Sequence, residues 1–180
     1  MASRLKLAAQ AMAVAAVAGL LALLVWKIVH RGESVSAALG AGKKPHAPNF
    51  DLPRLKGQGR IDLASFRGRP VVLDFWASWC YTCPRESKRL EAEMRHYRKL
   101  GVVALGVNTK DWSGSARRYV KRYRITYPSV RDGDGKVLDR WVGAVRLPSM
   151  FFVDRSGRVV GELAAEEDLQ RYLRVITRAS

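Results

Sequence analysis

Val71-Val72-Leu73-Asp74-Phe75-Trp76-Ala77-Ser78-Trp79-Cys80-Tyr81-Thr82-Cys83-Pro84-Arg85-Glu86-Ser87-Lys88-Arg89 lies near the middle of a 180-residue chain. Its apolar, β-branched start, Val71 to Trp76, predicts a buried strand ending in a short turn. That turn delivers Cys80 and Cys83 to the first turn of a helix carrying Pro84, Glu86 and Leu90. They are the only two cysteines of the chain, and a strand feeding Cys-x-x-Cys at a helix start reads as a dithiol redox site. The first N–H groups of a helix lack intrahelical partners, and the dipole there favours negative charge. A thiolate so placed is stabilised, its pKa falling from about 8.5 towards roughly 3.5–7.5. Cys80 is therefore assigned as nucleophile, and Cys83, one turn on, as the thiol that resolves the mixed disulfide.

Phe75 to Glu86 resembles the active site of thioredoxin-like proteins, and most nearly that of the membrane-tethered extracytoplasmic thiol–disulfide oxidoreductases of the TlpA/ResA/CcmG type. Arg146-Leu147-Pro148-Ser149-Met150-Phe151-Phe152-Val153-Asp154 resembles the family's cis-proline loop running into a strand. The resemblance extends from about Pro45 to the C-terminus. It implies an α/β, thioredoxin-like fold with an N-terminal β-hairpin extension. It also implies a redox-active Cys80–Cys83 disulfide, with no other cofactor and no metal, that reduces protein disulfides outside the cytoplasm. Apocytochrome c haem-binding cysteines and cysteines of copper-site proteins are the candidate substrates, and a membrane electron donor would recharge the dithiol.

Several site residues follow from the same comparison. Asp74, inside a buried run, is expected to have a raised pKa and to exchange protons with a nearby thiol; bonding to its neighbours is the structural alternative. An aspartate here follows the cytosolic thioredoxin pattern, where many extracytoplasmic relatives have asparagine. Glu86 matches a glutamate of the ResA-like subgroup that tunes the thiols or helps select substrate, although a glutamate in a first helical turn is favoured by the dipole alone. Pro148 matches the cis-proline, and a substrate strand would pair beside it with the backbone of Leu147. Trp79, Tyr81 and Thr82 form the expected substrate-contacting rim, with Trp76 in packing. Tyr81-Thr82 replaces the proline-containing dipeptide of many relatives, which leaves the reduction potential open.

Two other chemistries fit the motif less well. Thr82-Cys83-Pro84-Arg85-Glu86 resembles the Cys-Pro-x-Glu of peroxiredoxins, but the threonine those enzymes need three residues before the cysteine is here Cys80. A non-enzymatic copper or zinc carrier would have two thiolates, too few for a closed zinc site, and no Met-rich or His-rich stretch to add ligands.

Towards the N-terminus, Leu7 to Val25 is apolar except for Gln10 and Gly19, and Trp26-Lys27 follows. This run approaches the ~20 residues needed to span a bilayer and ends in an interfacial pair. The nearest cleavage-like stretch, Val35-Ser36-Ala37, lies well beyond it. Residues 1–31 are read as one uncleaved transmembrane helix (signal anchor) in the cytoplasmic (inner) membrane, with a cleaved signal as the alternative. The dithiol places the catalytic domain on the periplasmic or extracytoplasmic side. Residues 32–48, rich in Ser, Ala, Gly and Pro, are read as a flexible tether, and residues 49–180 as the thioredoxin-like domain.

Within that domain, Asn49–Leu52 and Arg60–Leu63 predict a hairpin around Gly57 and Gly59. The redox helix should run to about Lys99 with Leu90, Met94 and Tyr97 inward. Val102–Val107 predicts a buried strand. A helix capped by Ser113 or Ser115 carries Ala116, Tyr119, Val120 and Tyr123 on one face. Asp132–Gly135 reads as a turn, Val137–Trp141 as a short helix, and Met150–Val153 with Arg158–Leu163 as a hairpin. Ala165–Thr177 closes the chain as a helix. The net charge of +16 would suit nucleic acid, anionic lipid or acidic proteins. No stretch resembles a base-reading motif, so the excess, including the basic residues of the 116–124 helix, is read as a solvated surface.

Overall fold

The computed structural model describes residues 2–29, 32–144, 146–163 and 169–178. The chain forms two compact units, Met1–Gly32 and Glu33–Ser180. The first contains helix α1 (Ala2–Val29), whose side chains from Met12 to Trp26 are exposed. Among the described residues no helix is long and apolar enough to cross a membrane. The side chains of residues 2–9, 11 and 27–29, part of the expected anchor, lie outside the described ones.

The second unit is built on a five-stranded mixed sheet in the order β5-β4-β3-β6-β7. Strand β3 (Val71–Trp76) is central and fully buried. It pairs in parallel with β4 (Val103–Thr109), which pairs in parallel with β5 (Ser129–Asp132). On its other side β3 pairs antiparallel with β6 (Ser149–Val153), which pairs with β7 (Val159–Leu163). Because successive strand residues face opposite sides, Val72 and Trp76 enter one core with Leu90, Met94, Tyr119, Phe152 and Leu173. Val71, Leu73 and Phe75 enter the other with Leu105, Leu138, Trp141 and Phe151. Helices α3 (Cys83–Tyr97), α4 (Ser113–Tyr123) and α6 (Leu169–Arg178) supply the first core, and α5 (Lys136–Val142) the second. Residues 165–168 of the expected last helix lie outside the described ones, and its inward Leu169, Leu173 and Ile176 are buried. A 3-10 turn, Arg98–Leu100, extends α3 until Gly101 takes a left-handed φ of 86°. A side chain is excluded at Gly106, where a Cβ would lie 2.8 Å from Trp76 Nε1 and 2.4 Å from Ser129 Oγ.

The expected hairpin is present as β1 (Asp51–Pro53) and β2 (Arg60–Asp62). Just after β1, Arg54 bridges to Val130 and Leu55 N–H donates to Ser129 O at 2.8 Å, so the hairpin covers the β5 edge. Strand β5 itself escapes the sequence pattern, since three of its four residues are polar.

The flexible tether over residues 32–48 requires correction. Ser34 caps a short helix, α2 (Val35–Gly40), by accepting from Ala37 N–H, and Val35 and Ala38 are buried. Ser36 Oγ donates to Trp141 O at 3.2 Å, tying α2 to α5. Further on, Val159 N–H donates to Pro45 O and Ala47 N–H to Gly157 O, both at 2.8 Å. The segment thus lines the otherwise open β7 edge, as sheet edges require. The domain begins at Glu33 rather than at residue 49.

Candidate active site

Strand β3 stops at Trp76, and the turn 77–82 carries Cys80 to the head of α3. Thr82 is the N-cap, without a side-chain capping bond, and Pro84 sits in the first turn. Proline is tolerated there because its missing N–H would have had no partner. Cys80 and Cys83 form a disulfide. The Cys83 N–H points at Cys80 Sγ at 3.2 Å, so a free helix-end donor already faces the sulfur that becomes the thiolate on reduction. Cys83 is fully buried and Cys80 nearly so, which leaves the outer sulfur as the one open to attack.

Asp74 is buried two residues before the end of β3. Its Oδ2 accepts from Tyr127 OH at 2.6 Å and from Ser87 Oγ at 3.1 Å, while Oδ1 has no partner. Burial raises its pKa from 3.8 to about 6, against the opposing effect of those two hydroxyls. Ser87 lies one helical turn beyond Cys83 and also meets Tyr119 OH at 3.1 Å, and Tyr119 stacks on Trp76 at 4.4 Å. Burial beside the Asp74 carboxylate pushes both tyrosine hydroxyls above their ordinary range, so they remain proton donors.

Glu86 is buried, with Oε2 3.4 Å from Arg89 Nη1 and Oε1 3.9 Å from Arg85 Nε. A buried carboxylate needs such partners, so more than the helix dipole holds it in place. The Leu147–Pro148 peptide is cis. Pro148 immediately precedes Ser149, which pairs with Phe75, so it lies at the end of β3 from which the cysteine turn springs. Leu147 is half-buried against both cores. Thr82 Oγ1 is 3.8 Å from Cys80 Sγ, and Trp79 and Tyr81 stand exposed.

The sequence pattern missed Asp111, which staples the cysteine turn to the β4–α4 loop. Its carboxylate accepts from Ser78 N–H (2.6 Å), Ser78 Oγ (2.7 Å), Asn108 Nδ2 (2.8 Å) and Trp112 N–H (2.8 Å). Trp79 Nε1 adds a bond to Lys110 O at 3.0 Å. A lone aspartate 33 residues from its partner carries no local signal; only the fold brings the two turns together. Tyr127 and Ser87 were missed for the same reason.

A disulfide at the head of the helix after a central strand, beside a cis-proline and above a buried carboxylate, defines a thioredoxin-like dithiol–disulfide protein. Comparison with known proteins carries this further. Residues 44–161 match the AhpC/TSA family. The ResA thiol–disulfide oxidoreductase of Geobacillus kaustophilus is 34% identical over 148 residues, covering 80% of this chain and 81% of its own. That of Bacillus subtilis is 31% identical over 147 residues, covering 79% of each chain. Among solved structures, a Chlorobium tepidum protein assigned as the thiol:disulfide interchange protein DsbE superposes with a TM-score of 0.68 at 25% identity, over 74% of this chain and 96% of its own. The chain belongs to the AhpC/TSA family, among its thioredoxin-like thiol–disulfide oxidoreductases.

Proposed function

We propose that the protein reduces protein disulfides on the extracytoplasmic side of a membrane to which α1 anchors it. The observation that carries the redox reading is the Cys80–Cys83 disulfide with the Cys83 N–H directed at Cys80 Sγ. In the reduced protein, the Cys80 thiolate attacks one sulfur of a substrate disulfide; a mixed disulfide forms and the other substrate sulfur leaves as a thiol. Cys83 loses its proton, for which the buried Asp74 carboxylate is the proposed acceptor, and attacks Cys80 Sγ. The substrate leaves fully reduced, two electrons having passed to it, and the Cys80–Cys83 disulfide remains. The cysteine pair is the redox group, and no further cofactor enters the cycle.

The Leu7–Val25 apolar run supports the anchor, and a disulfide-cycling site suits an extracytoplasmic setting. Haem-binding cysteines of an apocytochrome c or cysteines of a copper-site protein are the proposed substrates, with a membrane thiol donor restoring the dithiol. The test mixes pre-reduced full-length protein in detergent with insulin. One insulin disulfide reduced for each Cys80–Cys83 pair oxidised is the expected result; no transfer would refute the activity.

A further inference from the structure

From Glu33 onward, the large apolar side chains exposed among the described residues are Trp79, Tyr81, Leu100, Trp112 and Val175. All three aromatics in that set belong to the two turns at the redox end of the sheet. Tyr81 lies between the cysteines and is 97% exposed, Trp112 opens α4 and is 84% exposed, and Trp79 is 54% exposed. Exposed tryptophan is costly to leave in water, and grouped apolar side chains mark interaction surfaces.

Trp112 is not placed by chance. Asp111 bonds Ser78 on one side and the Trp112 N–H on the other, so the residue before Trp79 and the residue bearing the second indole hang from one carboxylate. Trp79 is in turn anchored through Nε1 to Lys110 O, two residues before Trp112. Lys110 adopts a left-handed φ of 46°, a conformation uncommon for a side-chain-bearing residue and held here by its N–H to Asp132 O at 3.1 Å. Among the described residues, the indole of Trp112 makes no ring contact that would hold it to the core. The loop bearing Trp112 is thus held against the turn that carries Cys80.

We propose that Trp112 is a specificity-determining residue. With Trp79 and Tyr81 it forms an aromatic rim that selects disulfides flanked by apolar or aromatic residues in an extended polypeptide. This rests on the disulfide-reductase reading above and assigns that site a substrate preference. A polypeptide fits better than a bilayer, because the aromatics stand on the cysteine turn and on the loop bonded to it, and Cys80 reacts only with another sulfur brought into bonding distance.

The test uses pre-reduced full-length protein in detergent micelles, in single turnover. Three oxidised probes are compared: a cystine-bridged peptide flanked by phenylalanines, its serine-flanked twin, and bis(2-hydroxyethyl) disulfide. The wild type should prefer the phenylalanine peptide. Trp112→Ala should lose roughly tenfold in second-order rate on that peptide, as truncation of an aromatic anchor does, yet be unchanged on the small disulfide; Trp112→Phe should recover most of the loss. Equal slowing on all three probes, or an unchanged phenylalanine-to-serine ratio, would overturn the proposal. So would unchanged peptide rates accompanied by weaker binding to anionic lipid vesicles, which would make Trp112 a membrane contact. A wild type that oxidises with none of the probes would remove the reductase reading itself, a result separable from every outcome of the Trp112 series.

Discussion

At the scale of single residues, the two cysteines have unequal tasks that substitution separates. Cys80→Ser should abolish transfer to a disulfide substrate. Cys83→Ser should still attack but stall, and intact-mass measurement should then find a stable adduct of protein and substrate through Cys80. Asp74 makes a prediction of the opposite kind, about stability. Its folded-state pKa is raised to about 6 from 3.8, so the folded chain holds the proton more tightly than the unfolded one. Stability is therefore fullest below about pH 4, falls as pH rises towards 6, and stays lower above that. Asp74→Asn keeps an acceptor for Tyr127 but carries no charge. It should stabilise the oxidised protein at pH 7–8 by about 1–3 kcal/mol and flatten the pH dependence between 4 and 6 in denaturant titrations. In turn, the pH dependence of mixed-disulfide resolution should lose its inflection near pH 6 in the variant.

Among the elements, two connections escape every local pattern, one at the site and one at the sheet edge. Asp111 joins the cysteine turn to the head of α4. Asp111→Ala would leave Ser78 N–H without its acceptor and Asn108 Nδ2 with only its longer bond to Trp76 O, a loss of about 1–3 kcal/mol. Faster amide exchange confined to residues 78–80 and 108–112 would check it. Helix α2 is the second connection. Val35→Asp would set a carboxylate where a buried side chain packs, freeing residues 33–47 and accelerating tryptic cleavage after Lys43 and Lys44 well beyond the wild-type rate. If these lysines are cut equally fast in both, the segment is a tether after all.

For the molecule as a whole, the parts legible in the sequence were those with local periodicity or fixed spacing. The Val71–Trp76 run, the Cys80–Cys83 spacing and the Leu90, Met94 and Tyr97 stripe all read correctly, because strand burial and helix packing leave a short-range mark, whereas the cis bond at Leu147–Pro148 is expected from the family resemblance alone. Small residues misled: Val35 and Ala38, embedded among serine, alanine and glycine, suffice to dock a helix, though composition there suggests a linker. Ser129-Val130-Arg131-Asp132 forms an edge strand because Asp132 spends its carboxylate on Thr109 and the α5 backbone. Asp111, Trp112 and Tyr127 became site residues only when β4, α4 and β5 were laid beside β3.

The measurement that bears most directly on the central claim is the equilibrium reduction potential of the Cys80–Cys83 couple. It would be read on the full chain in detergent by tryptophan fluorescence across dithiothreitol and glutathione redox buffers. A single reversible two-electron transition near or below thioredoxin's value of about −270 mV is predicted, as the proposed reductase role requires. A transition near about −120 mV would make the protein an oxidant and reverse the proposed direction, and the absence of any reversible couple would contradict the dithiol mechanism outright.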